Sequence, residues 1–254
     1  MKMLIASVAT GCIFFAGLGS ATAQDENMVI IPVEMFACTY NEGKGASDLD
    51  DVTAKWNKWA DENGTDDYSA WTLTPYYFGS EQDFDVIWLG AAKNAVALGR
   101  AQDTYIAEDA GLRAEFEEVL SCDAHVNFAS VNYKALPDGR TPQNSVLTFS
   151  DCSYKEGATF DQLSAAMDQW AQHLSDAGST TGIFHWYPMY GGGKEEFDFK
   201  WLQAFDNLTA LGADYDNFGN GGAWRVRMEL LSPLISCDGS RAYLAENRRY
   251  TQLR

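Results

Sequence analysis

The chain states one pattern twice. FDVIWLGAAKN begins at residue 84 and FDFKWLQAFDN at residue 197. Phe84, Asp85, Trp88, Leu89, Ala91 and Asn94 recur as Phe197, Asp198, Trp201, Leu202, Ala204 and Asn207, each 113 positions later. The match extends both ways. Cys38-Thr39-Tyr40-Asn41-Glu42-Gly43 aligns with Cys152-Ser153-Tyr154-Lys155-Glu156-Gly157 at an offset of 114, as do Trp56 with Trp170 and Gly64 with Gly178. Pro75 meets Pro188 and Leu98-Gly99 meets Leu211-Gly212 at 113, and Cys122 meets Cys237 at 115. So long an agreement, with length changes of a residue or two, reads as two homologous units. They are too long for solenoid repeats, so each is expected to be a small domain. The expected division is a signal peptide over 1–24, a first unit over 25–135, a turn-rich linker over 136–142 containing Leu136-Pro137-Asp138-Gly139, and a second unit over 143–254.

Within a unit the order reads strand, helix, strand, strand, helix, strand. Met28 to Tyr40 is rich in Val, Ile and Phe and reads as a strand. Leu49, Val52, Trp56 and Trp59 fall near helical spacing within Asp48 to Glu62, and Leu163, Met167, Trp170 and Leu174 do so within Phe160 to Asp176. Gly64 and Gly178 follow as stop signals. Tyr68 to Tyr77 and Phe84 to Leu89 read as strands, Ala91 to Tyr105 as helix, Leu112 to Leu120 as a shorter helix, and Ala124 to Lys134 as the last strand. The fold class is therefore α+β, as two fused ferredoxin-like βαββαβ units, each an antiparallel sheet with helices on one face. Each copy would bury what the other exposes.

Beyond the signal segment four cysteines remain, two per unit, and they allow three pairings. In this topology the end of the first strand lies beside the start of the last. Cys38 with Cys122, and Cys152 with Cys237, are the expected disulfides. Each would close a loop of roughly 85 residues, a constraint of about 4 kcal/mol on the unfolded chain.

The first residues carry an address. Lys2 is a short positive segment, Leu4 to Gly17 is apolar, and Ala21-Thr22-Ala23 has the small-x-small form of a cleavage site. A rival lipoprotein reading at Cys12 lacks the usual leading leucine. Cleavage near Ala23 places the chain in a bacterial periplasm or outside the cell, where disulfides persist. The net charge is -18 over the whole chain, and -19 without Lys2. That field excludes nucleic acid as a partner. No other segment is apolar enough for stable membrane insertion. The unit pair is internal, so a monomer suffices. Eight Trp, fourteen Phe and twelve Tyr are enough to line a core or an apolar pocket.

Phe84-Asp85-Val86-Ile87-Trp88-Leu89 running into Ala91-Ala92-Lys93-Asn94 resembles the dimeric α/β-barrel superfamily, which includes antibiotic-biosynthesis-monooxygenase-like, EthD-like and NIPSNAP-like families. The resemblance covers nearly the whole mature chain and implies a single-chain pseudo-dimer whose sheets form a barrel with a ligand cavity in or beside it. Its members include cofactor-independent oxygenases, isomerases, haem-degrading enzymes and proteins without known activity, so fold alone leaves function open. Several place a histidine on the helix after the Trp-bearing strand. Here that helix offers Leu98-Gly99 and Leu211-Gly212, and haem ligation there is not expected.

Three histidines exist. His125 opens a strand beside Cys122, and His173 lies on a helix near Trp170. His185 stands mid-strand in Ile183-Phe184-His185-Trp186-Tyr187-Pro188, out of phase with Phe184 and Trp186. If those two pack on helices, His185 and Tyr187 point into the barrel as a proton-transfer pair. Asp198, and its equivalent Asp85, are carboxylates among aromatics, suited to act as a base or to tie down a loop. His185, Tyr187 and Asp198 are thus the candidate catalytic residues. Tyr40, Tyr154, Thr72 (the counterpart of His185) and Asp85 are the candidate ligand contacts. The acidic loops lack the EF-hand order of ligands, and there is no phosphate loop, dinucleotide fingerprint or GxSxG. No metal and no cofactor are expected. The leading expectation is an exported protein that binds an apolar or aromatic small molecule in its barrel. The alternatives are a cofactor-independent oxygenase, isomerase or lyase, and an envelope protein whose barrel is filled.

Overall fold

A computed structural model describes residues 28, 30–137 and 144–251. The signal peptide over 1–24, Cys12 and the linker residues 138–142 lie outside the described residues. The first half runs β1 (Ile30–Tyr40), α1 (Ala46–Glu62), β2 (Tyr68–Tyr77), β3 (Val86–Ala92), α2 (Ala95–Glu108), α3 (Leu112–Val119) and β4 (Leu120–Lys134). The second runs β5 (Asn144–Tyr154), α4 (Phe160–Asp176), β6 (Gly182–Tyr190), β7 (Phe199–Phe205), α5 (Leu208–Gly219), α6 (Ala223–Leu231), β8 (Ile235–Cys237) and β9 (Arg241–Arg249).

The strands are hydrogen-bonded in the order β4-β1-β3-β2-β9-β5-β7-β6, and β6 pairs back onto β4, so an antiparallel barrel closes. Two seams join the halves. At one, Leu73 of β2 lies opposite Ala245 of β9. At the other, Val131 of β4 lies opposite His185 of β6. Successive side chains on a strand point to opposite faces. Val33, Leu73, Ile87 and Leu89 of the first half meet Phe149, Trp186, Leu202 and Tyr243 of the second in one inner core. The helices pack on the outside of the wall, over separate clusters built around Met167 and Trp170 in the second half and Trp56 and Trp59 in the first.

The twice-stated motif now has a physical reading, position by position. Asp85 and Asp198 accept the backbone N–H groups of Tyr40 (2.9 Å) and Tyr154 (2.7 Å), pinning the end of β1 and of β5. Leu89 and Leu202 point inward, while Trp88 and Trp201 pack outward against helices. Asn94 and Asn207 cap α2 and α5, each side chain accepting an N–H at 2.9 Å from the third residue on. Those caps correct one expectation. The helix expected from Ala91 begins at Ala95, and Gly90-Ala91-Ala92 remain in β3, Gly90 and Ala91 paired with both β1 and β2 and Ala92 with β2. β4 also starts at Leu120, earlier than Ala124.

Cys38 is bonded to Cys122 and Cys152 to Cys237, directly across β1–β4 and β5–β8. Among the described residues no helix is long and apolar enough to cross a membrane.

Candidate functional site

An aromatic-walled space lies outside the barrel, against its helix-covered face. It is a cavity of about 650 Å³ between the outer face of β1, β3 and β4 and the helices α1, α2 and α3. Alternation puts Val33 and Met35 of β1 inward, so Glu34 and Phe36 face the helices. Trp56 and Trp59 come from the apolar stripe of α1, Trp88 from β3 and Phe116 from α3. Trp56 meets Trp88 edge-on at 5.2 Å between ring centroids, and Trp88 meets Phe116 at 5.7 Å.

One polar cluster interrupts this apolar wall. Glu34 is 4% exposed. Its Oε1 accepts from the Tyr68 hydroxyl at 2.7 Å, and its Oε2 accepts from Gln102 Nε2 at 2.7 Å. Oε2 also lies 2.8 Å from His125 Nε2, and because a carboxylate only accepts, that nitrogen carries the proton. A buried carboxylate without partners is costly, and hydrogen bonds to a charged group recover about 1.5–3 kcal/mol each. Burial and the neighbouring Glu34 carboxylate push the Tyr68 hydroxyl well above the usual tyrosine range, so it stays a donor. Trp88 Nε1 donates to the same hydroxyl at 3.2 Å. His125 is half exposed at the cavity's edge and stacks on Phe36 at 3.7 Å. Glu34, Tyr68, Gln102 and His125 were not singled out from sequence for this site. The signal for Glu34 was there: a charged residue in the middle of an apolar strand.

The equivalent space in the second half is differently furnished. The 114-residue offset puts Thr148 where Glu34 stands, and the 113-residue offset puts Tyr215 where Gln102 stands. Arg227 of α6 lies over the Trp201 ring at 4.7 Å and over the Phe218 ring at 5.6 Å.

The sequence-derived candidates do not gather into one site. Phe184 and Trp186 point into the barrel, so His185 and Tyr187 face the helices, the reverse of the expected phase. His185 is fully buried between Phe199 (4.4 Å), Tyr133 (4.6 Å) and Trp201 (5.2 Å), and neither ring nitrogen has a hydrogen-bond partner among the described residues. Burial lowers its pKa to about 3, so it is a neutral packing group at ordinary pH. Tyr187 shares a 3.1 Å contact with the Tyr154 hydroxyl, and burial raises both phenols. Asp198 and Asp85 are exposed and serve the backbone of Tyr154 and Tyr40. Thr72 is buried on the outer face, where its hydroxyl accepts from Arg248 Nε at 2.8 Å. Tyr40 is half buried at the end of β1.

Inside the barrel, aromatic rings meet across part of the interior. Phe149 touches both Trp186 (5.2 Å) and Tyr243 (5.5 Å) across it. A space of about 890 Å³ opens at one barrel end, lined in part by the inward-facing Phe84, Phe149 and Tyr243, with Asp151 at it held by Lys200 (2.6 Å) and Arg241 (3.2 Å). Among the described residues no group of three or more His, Cys, Asp and Glu side chains could hold a metal ion.

No protein-family model matches the chain, and no curated protein does. Solved structures do match in shape. A candidate monooxygenase from Fusobacterium nucleatum aligns with a TM-score of 0.55 at 8% identity, covering 87% of this chain and 92% of that one. A candidate chlorite dismutase aligns at 0.54 and 15% identity, covering 86% and 94%. A candidate monooxygenase from Lactobacillus acidophilus aligns at 0.53 and 10%, covering 87% and 94%. At these identities the likeness speaks to the fold alone. The cavity's residues do not fit a haem held by a helix-borne histidine: α2 presents Ala101, Gln102, Tyr105 and Ile106 there, and Gln102 is engaged by Glu34. His125 stands on the sheet wall, paired with Glu34.

Proposed function

We propose that this is an exported small-molecule-binding protein whose site is the cavity between the sheet and the helices of the first half. The supporting observation is the cavity itself: about 650 Å³, walled by Trp56, Trp59, Trp88 and Phe116, with one convergent polar cluster at Glu34. Apolar walls with a few polar groups that fix orientation are the usual make-up of a ligand site. The ligand is an apolar or aromatic compound, shifted from the barrel interior to the barrel's outer wall. We read the two halves as fused copies of one ferredoxin-like unit, divided at 136–142, which together form a pseudo-dimer that needs no second chain. Supporting this are the same element order in both halves, apart from the last strand of the second being divided into β8 and β9, and a cross-strand disulfide to the first strand in each. The paired disulfides also support export, after cleavage near Ala23.

Native mass spectrometry of protein purified from its own host tests the reading, with retained small-molecule mass as the expected result. Ala101→Phe, which fills the cavity from α2, should abolish that retention. Retention unchanged in Ala101→Phe would put the ligand elsewhere.

A second reading is an acid–base enzyme of the isomerase or lyase kind, now centred on His125. Glu34 fixes Nε2 of His125 and leaves Nδ1 as the acceptor at the cavity edge. Under that reading His125→Gln removes turnover and spares binding, whereas His185→Leu removes neither.

A further inference from the structure

Glu34 is a buried carboxylate whose charge is not matched. Among the described residues its one ion-pair partner is His125, a half-exposed group at the cavity edge. The guanidinium of Arg113, which also lines the cavity, is held by Asp109 at 3.5 Å. The remaining donors to Glu34, Tyr68 and Gln102, are neutral. A carboxylate has about four acceptor positions. Tyr68 takes one on Oε1, while Gln102 and His125 take two on Oε2, so one position on Oε1 stays open. Trp56, Trp59, Trp88 and Phe116 line the same cavity, and the faces of such rings attract a cation through their quadrupoles. The chain's net charge of -18 raises the local concentration of cations at any opening.

We propose that the cavity takes an aryl-alkyl ammonium. Its N–H donates to the open position on Glu34 Oε1, and its apolar part stands between Trp56, Trp88 and Phe116. This rests on the reading of the cavity as the binding site and adds the ligand's chemical class. The second half marks the contrast. There Thr148 replaces the carboxylate, and Arg227 covers the equivalent tryptophan, so a ligand cation is not wanted.

The test uses the full-length mature protein and three probes at neutral pH: phenethylammonium, its neutral counterpart phenethyl alcohol, and the anion phenylacetate. Binding is read by tryptophan fluorescence and calorimetry. The ammonium is expected to bind about tenfold or more tighter than the alcohol, with phenylacetate weakest. Glu34→Gln keeps the size and one acceptor but removes the charge. It should erase the ammonium's advantage and leave alcohol binding in place. An ammonium that binds no better than the alcohol overturns the inference while sparing the cavity as a site. Failure of all three probes to bind overturns both. Should Glu34→Gln fail to fold, salt decides on the wild-type protein. A preference that persists in 1 M NaCl belongs to a buried carboxylate, whereas one that vanishes belongs to the acidic surface and sinks the proposal.

Discussion

At the scale of single residues, the histidine that looked most reactive is the one least able to react. His185 is fully buried without a hydrogen-bond partner, and its pKa is lowered to about 3 by burial. In the unfolded chain a histidine titrates near pH 6.5. Between about pH 6.5 and 3 the unfolded state therefore binds a proton that the folded state does not. Stability is then lost as pH falls through that window, by roughly 1 kcal/mol per pH unit. His185→Leu should melt within a few degrees of wild type at pH 7. Between pH 6.5 and 4 its melting temperature should fall less steeply. Parallel pH slopes for the two proteins would show that the ring is hydrated or paired. Asp85 and Asp198 call for the opposite kind of test. Each serves one backbone N–H at an exposed strand end, so Asp85→Ala and Asp198→Ala should each cost about 0.5–1.5 kcal/mol in chemical denaturation. Both should leave ligand affinity unchanged, which a catalytic or contact role would not allow. Glu34 was readable from its phase within β1. Its partners were not, because Gln102 and His125 come from 68 and 91 positions away and meet it only through the packing of α2 on the sheet and the pairing of β4 with β1.

At the scale of elements, most of the fold was legible. Helical spacing located α1 and α4, α4 to the residue, and β-rich runs located β1 and β2. The β3–α2 border was misplaced because Ala91 and Ala92 favour helix locally, while strand pairing, on both sides for Ala91 and with β2 for Ala92, holds them extended. The phase of β6 was misjudged for a related reason. Its two faces are both apolar, so alternation alone does not say which meets the helices. Gly90 in β3 links element to site. A Cβ there would occupy the place of the Tyr68 hydroxyl, the group that donates to Glu34. Gly90→Ala should therefore weaken ligand binding about tenfold or more, measured by fluorescence titration, and more than Gly99→Ala, where a Cβ meets nothing. The disulfides act on the same scale. One joins β1 to β4 and the other β5 to β8, over 84 and 85 positions, a constraint worth about 2–5 kcal/mol each. Cys38 and Cys122 also line the cavity, and Cys152 and Cys237 do not. Loss of the first bond, in Cys38→Ala/Cys122→Ala, should lower both the melting temperature and ligand affinity. Loss of the second should lower the melting temperature alone.

At the scale of the whole molecule, the repeat suggested two small domains, but the inner core belongs to neither half alone. Ile87 and Leu89 from one side pack with Phe149 and Tyr243 from the other. Nothing in the sequence showed how the halves meet, since edge-to-edge pairing at β2–β9 and β4–β6 depends on backbone groups that every residue carries. The closed ring leaves no free strand edge in the barrel wall, whereas either half by itself would expose two edges and its inner apolar face. The halves should therefore unfold together. Calorimetry should show one transition whose calorimetric and van't Hoff enthalpies agree. Trp186→Ala, which opens a hole between Phe128 of the first half and Phe149 of the second, should move that single transition down by about 3–5 kcal/mol in stability. Two resolved transitions, with only the later-numbered half affected by the substitution, would mean that each half carries its own core and that the seams are contacts between domains. A single transition would instead tie the outer cavity to the barrel. The strands that hold Glu34 and Trp88 on their outer face hold Val33 and Leu89 on their inner one, so a ligand bound outside should raise the melting temperature of both halves at once.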